Sequence, residues 1–130
     1  MAKLNLLLKK VIKIDDQKFN LILDKLLEKT EQGKLQWERT AAKNTFLIVL
    51  EDGSISISHT ISDKHSFEEM LNGGIYTLNI RDQTGHIAES VEISKSNKNS
   101  VAVEKTSKVF QLAKHQVNET VDRILEQLAA

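Results

Sequence analysis

The chain has 130 residues, with 18 Lys plus Arg against 18 Asp plus Glu, and neither Cys nor Pro. A chain of this length buries roughly two-thirds of its unfolded surface without help from disulfides or a structural metal, and the missing cysteines exclude disulfide, thiolate-metal and nucleophilic-cysteine chemistry. A formal net charge of zero, with 40% apolar and 28% charged residues, fits one ordinary globular domain over 1–130 and gives no general attraction to nucleic acid or membrane.

Residues 1–14 carry Lys3, Lys9, Lys10 and Lys13 and no acid, and read as a basic amphipathic N-terminal arm. The apolar run Leu6 to Leu8 is far shorter than a signal-peptide core. The longest apolar stretch, Phe46 to Leu50, is five residues, too short to span a bilayer. The expected setting is cytoplasmic, with no membrane partner.

A helix is predicted over about 16–32. Asp15 suits its N-cap, Ile14 and Phe19 suit a hydrophobic staple, and Phe19, Ile22, Leu23, Leu26, Leu27 and Thr30 recur at helical spacing. Gly33 supplies the stop. A hairpin follows, in which Asp52-Gly53 suggests a two-residue type I′ turn; Glu51 then pairs with Ser54, Leu50 with Ile55, Ile48 with Ile57 and Phe46 with His59. The other face sets Val49, Leu47 and Thr45 against Ser56, Ser58 and Thr60, so one side of the hairpin is core and the other wet.

Ser66 and Glu69 have capping-box spacing, consistent with one helical turn ending at Asn72-Gly73-Gly74. Ile75 to Arg81 reads as a third strand, Asp82 to Gly85 as a type I turn, and His86 to Ser94 as a fourth strand with Ile87, Val91 and Ile93 on one face. Lys95 to Ser100 reads as a polar loop. A long helix is predicted over about 106–128, with Thr106 or Ser107 as N-cap and a broad stripe of Phe110, Ala113, Val117, Val121, Ile124 and Leu128. Such a helix is longer than short strands can cover, so part of the stripe is expected to reach another chain.

The resulting fold class is α+β: a four-stranded antiparallel β-meander covered on one face by the N-terminal and the long C-terminal helix. The runs Leu26-Leu27-Glu28-Lys29-Thr30, Gly33-Lys34-Leu35-Gln36-Trp37-Glu38, Val109-Phe110-Gln111-Leu112-Ala113-Lys114 and Val121-Asp122-Arg123-Ile124-Leu125 give a resemblance. The chain resembles, over about residues 19 to 128, a group of small uncharacterised bacterial proteins. In these a leading helix closes in a GKL-x-W segment, a short β-meander follows, and an LA[RK]-type helix completes the chain. The resemblance implies an intracellular bacterial or mobile-element protein and brings no activity, cofactor or site residues with it.

The chemistry-bearing residues are scattered. Among His59, His65, His86 and His115 no pair has the helical i, i+3 or i, i+4 spacing or the H-x-H strand spacing of metal ligands. The acid pairs Asp15-Asp16, Glu51-Asp52 and Glu68-Glu69 sit at caps and turns that explain them. There is no nucleophile elbow, phosphate-cradling loop or lysine-serine signature. The expectation is therefore a non-enzyme with no cofactor, no metal and no catalytic residues. Trp37, the single Trp, and Tyr76 and His59 are the residues that could line a ligand or partner pocket; the competing reading packs Trp37 beneath the helix-to-sheet crossover and half-buries Tyr76. Four Phe, one Trp and one Tyr leave too few aromatics for a base-stacking platform.

Charge by segment says more than the total. Residues 1–14 carry +4, 15–32 −2, 33–43 +2, 44–94 −6 and 95–130 +2. An acidic meander between basic flanks suits a protein partner, including a second copy of the chain. The leading expectation is a self-associating protein-interaction module; the alternative is a small-ligand or nucleic-acid binding domain with a pocket near Trp37, Tyr76 and His59.

Overall fold

The computed structural model describes residues 16–60 and 73–130. The Asp15 cap, the Ile14 staple, the N-terminal arm, the Ser66–Glu69 capping box and His65 all lie outside the described residues. The fold is α+β, an antiparallel sheet with an N-terminal and a long C-terminal helix.

Helix α1 spans Asp16–Glu31 and buries Phe19, Leu23, Leu26 and Thr30. It ends in a Schellman motif: the Gly33 amide donates to the Thr30 carbonyl at 3.1 Å and the Lys34 amide to the Lys29 carbonyl at 2.9 Å, with Gly33 at φ 71°.

The sheet has five strands rather than four, in the sequential order β1-β2-β3-β4-β5. They are β1 (Glu38–Arg39), β2 (Thr45–Leu50), β3 (Gly53–Thr60), β4 (Ile75–Asp82) and β5 (Ile87–Ile93). The extra strand, β1, is two exposed charged residues paired with Leu47 and Phe46, too short for any alternation to register. Its return to β2 turns on Asn44, which takes φ 50°, a left-handed conformation that asparagine tolerates.

The β2–β3 register is displaced by two residues from the expected one. Leu50 pairs with Gly53, Ile48 with Ile55 and Phe46 with Ile57, so Glu51 and Asp52 form the loop. Neither loop residue has a positive φ, so the turn is not type I′. Gly53 serves close packing instead: a Cβ there would run into the Arg81 carbonyl of β4. A slip of two keeps every side chain on its face, and Phe46, Ile48, Ile55 and Ile57 are buried as the alternation requires.

The Asp82–Gly85 turn closes with the Gly85 amide on the Asp82 carbonyl at 3.0 Å. In β5, Ile87 leaves the core face. A bulge between Ile80 and Arg81 pairs Arg81 with Ile87 and skips Ala88, so Ile87 is 55% exposed while Val91 and Ile93 are buried.

Helix α2 spans Ser100–Ala129, six residues longer at its start than expected. Asn99 is the N-cap, its side-chain oxygen accepting from the Ala102 amide at 2.8 Å. Thr106 does not cap; it is fully buried, and its hydroxyl donates to the Ala102 carbonyl at 2.7 Å. Nor is the polar segment before it loose, because Asn97 Oδ1 accepts from the Ser94 amide at 2.9 Å and Asn97 Nδ2 donates to the Glu92 carbonyl at 3.0 Å.

The two helices run side by side in the same direction. Lys98 meets Asp16 at 3.7 Å, Lys105 meets Asp24 at 2.5 Å, and Gln116 reaches the segment after α1. Buried side chains of both helices share one core with Ile48, Ile57, Leu78, Val91 and Ile93 of the sheet.

Candidate functional site

Five places among the described residues carry chemistry or exposed apolar surface. The first is an aromatic cluster. Antiparallel pairing sets His59 opposite Tyr76. Their rings stack at 4.4 Å between centroids with 26° between planes, and Phe110 of α2 packs on both, at 5.5 Å from His59 and 5.7 Å from Tyr76. The Tyr76 hydroxyl donates to Ser107 Oγ at 3.1 Å, and His59 Nε2 bonds the Gly73 carbonyl. The Tyr76 hydroxyl and His59 Nε2 are thus engaged within the chain.

Trp37 is the second. It is 4% exposed beneath the crossover from α1 to the sheet. Its indole N–H donates to Thr30 Oγ1 at 3.1 Å, and its backbone N–H donates to Gln116 Oε1 at 2.8 Å. Gln116 in turn donates from Nε2 to the Leu35 carbonyl at 3.0 Å, so one glutamine of α2 holds the 35–37 segment by two bonds. No ring contact among the described residues links Trp37 to His59 or Tyr76. The β3–β4 register, rather than the expected pairing with Phe46, brings His59 and Tyr76 together, whereas the role of Gln116 shows in the sequence only as an amide flanking the apolar stripe.

The third place is the far end of α2. Every residue from 118 to 130 is exposed. The stripe nonetheless continues through Val121 (43%), Ile124 (50%), Leu125 (58%) and Leu128 (79%). At about 1.5 Å per residue this overhang is about 18 Å long. Its charges lie off the stripe: Glu119 pairs with Arg123 at 2.6 Å on the opposite face and lies 3.7 Å from His115, while Asp122 and Glu126 carry no ion pair among the described residues.

An apolar cleft of about 500 Å³ opens elsewhere, between α1 and the β2–β3 hairpin. Leu21, Ile22 and Leu26 form one wall, and Ile48, Leu50 and Ile55 the other; Lys25 and Lys29 stand exposed on the α1 side. The cleft exists because α1 packs chiefly on α2 and leaves this corner of the sheet uncovered. A polar cleft of about 470 Å³ places Arg39, Lys43 and Lys114 around the loop before β2, with Arg39 donating to Asn118 Oδ1 at 3.1 Å.

No group of three or more potential metal ligands occurs among the described residues, and no helix of them is long and apolar enough to cross a membrane. No protein-family model, curated protein or solved structure matches the chain. Function must therefore be argued from the geometry.

Proposed function

We propose that this chain is a non-enzymatic protein-interaction module whose partner includes a second copy of itself, engaged through the overhanging end of α2. The observation that carries the reading is the exposed Val121, Ile124, Leu125 and Leu128 stripe. A helix keeps an apolar face where it has something to pack against, and these four side chains continue the face that is core from Ala102 to Val117. The cytoplasmic setting and bacterial origin expected from the sequence belong to the same proposal.

Replacing Ile124 and Leu128 together by Ser removes two large apolar side chains without touching the buried core. The expected outcome is self-association weakened by about 10- to 100-fold, from roughly 1.5–3 kcal/mol for each side chain fully buried and less for partial burial. Light scattering on the eluting protein reads the change, with circular dichroism as the control for folding. Equal association of the variant and the wild type would contradict the proposal.

A further inference from the structure

We infer that the apolar end of α2 docks into the α1/hairpin cleft of a second copy, with Asp122 and Glu126 of one chain set against Lys25 and Lys29 of the other. This rests on the self-association proposed above and specifies which surfaces meet.

Dimensions agree first. The stripe from Val121 to Leu128 is seven helical rises, about 10 Å, and the α1 wall from Leu21 to Lys29 is eight, about 12 Å. Chemistry agrees next, since an apolar ridge meets an almost wholly apolar cleft. Charge then selects the pairing. Lys25 and Lys29 are an i, i+4 pair lining the cleft, and Asp122, which borders the stripe on the Leu125 side, has Glu126 one turn on and further round the helix, so each row presents two charges one turn apart. Among the described residues Lys25 is shared only with Glu28, at 3.4 Å and largely exposed, and Glu119 is already held by Arg123.

The occupant cannot be the same chain's own helix. α2 runs alongside α1 in the same direction as one continuous helix, and its end points onward past Trp37 rather than back toward Leu21. Residues 1–14 carry four lysines and no acid, the wrong sign for Lys25 and Lys29.

The test is a charge swap. Lys25→Glu with Lys29→Glu places acid against acid, and Asp122→Lys with Glu126→Lys places base against base. Each double variant alone is expected to self-associate at least about 10-fold more weakly than wild type, and an equimolar mixture to regain association to within about 3-fold, because both contacts in the mixed pair are again of opposite sign. All four positions are exposed, so the fold is retained, and circular dichroism checks it. Sedimentation velocity on each variant and on the mixture reads the result. A wild-type chain that stays monomeric overturns both this inference and the proposed function. Wild-type association that persists unchanged in the double variants, or a mixture no stronger than its components, overturns the cleft assignment alone.

Discussion

Threonine is a mediocre helix former, yet Thr30 sits buried in the last turn of α1 because its hydroxyl is the acceptor for the Trp37 indole. Removing that hydroxyl while keeping the shape, Thr30→Val, strands a buried N–H. The expected cost is about 1–3 kcal/mol, read by urea denaturation followed through the single Trp. Asp82 makes the corresponding argument at the surface. Its Oδ1 accepts from the Thr84 hydroxyl at 2.7 Å, the Thr84 amide at 3.0 Å and the His86 amide at 3.1 Å. The Thr84 hydroxyl is the largest cause and, joined by the His86 and Thr84 amides, holds the carboxyl below its ordinary value despite desolvation, which acts the other way. A lowered folded-state pKa contributes stability that is complete above the unfolded value, near 4, and is lost as pH falls through the folded one. Thermal melts of wild type and Asp82→Ala should therefore differ at pH 7 and converge as the solution is acidified below about pH 4. A gap that stays constant to low pH would contradict this.

At the scale of elements, periodicity was informative wherever one face is buried. The expected α1 matches Asp16–Glu31 to within a residue, and the strands Ile75–Asp82 and Ile87–Ile93 lie close to their expected bounds. What sequence reading missed depends on contacts between elements. Asp52-Gly53 reads locally as a hairpin turn, but Gly53 is required by the approach of β4, a strand more than twenty residues away. Asn therefore separates the two roles: it is favoured at a left-handed turn position and should be as damaging as Ala at Gly53, each costing about 1–3 kcal/mol in chemical denaturation. The start of α2 was hidden because Asn99 lies within a polar run that resembles a loop. Asn99→Ala should cost about 0.5–2 kcal/mol on the same assay, whereas Ser107→Ala, at one of the two caps expected from the sequence, leaves helix capping untouched. Of the candidate site, the sequence grouped His59 with Tyr76 and Trp37 but set His59 opposite Phe46, and its pairing with Tyr76 follows from the β3–β4 register. The apolar cleft was not legible, because it arises from α1 leaning on α2 instead of lying flat on the sheet.

For the whole molecule, the zero net charge conceals a spatial arrangement. Basic residues of α1 line an apolar cleft, and an apolar helix end that the described residues leave uncovered carries two acids, Asp122 and Glu126, with no ion pair among those residues. Within one chain the parallel helix pair keeps these two surfaces apart, so they can meet only between copies. The association that such an interface supports is reversible and sensitive to salt, since exposed ion pairs are screened while the apolar contact is not. Sedimentation equilibrium over a wide concentration series is the most direct measurement. The expected result is a weight-average mass that rises from the 14.7 kDa chain toward twice that value with concentration. A mass that remains that of the single chain at the highest concentration would contradict the central claim.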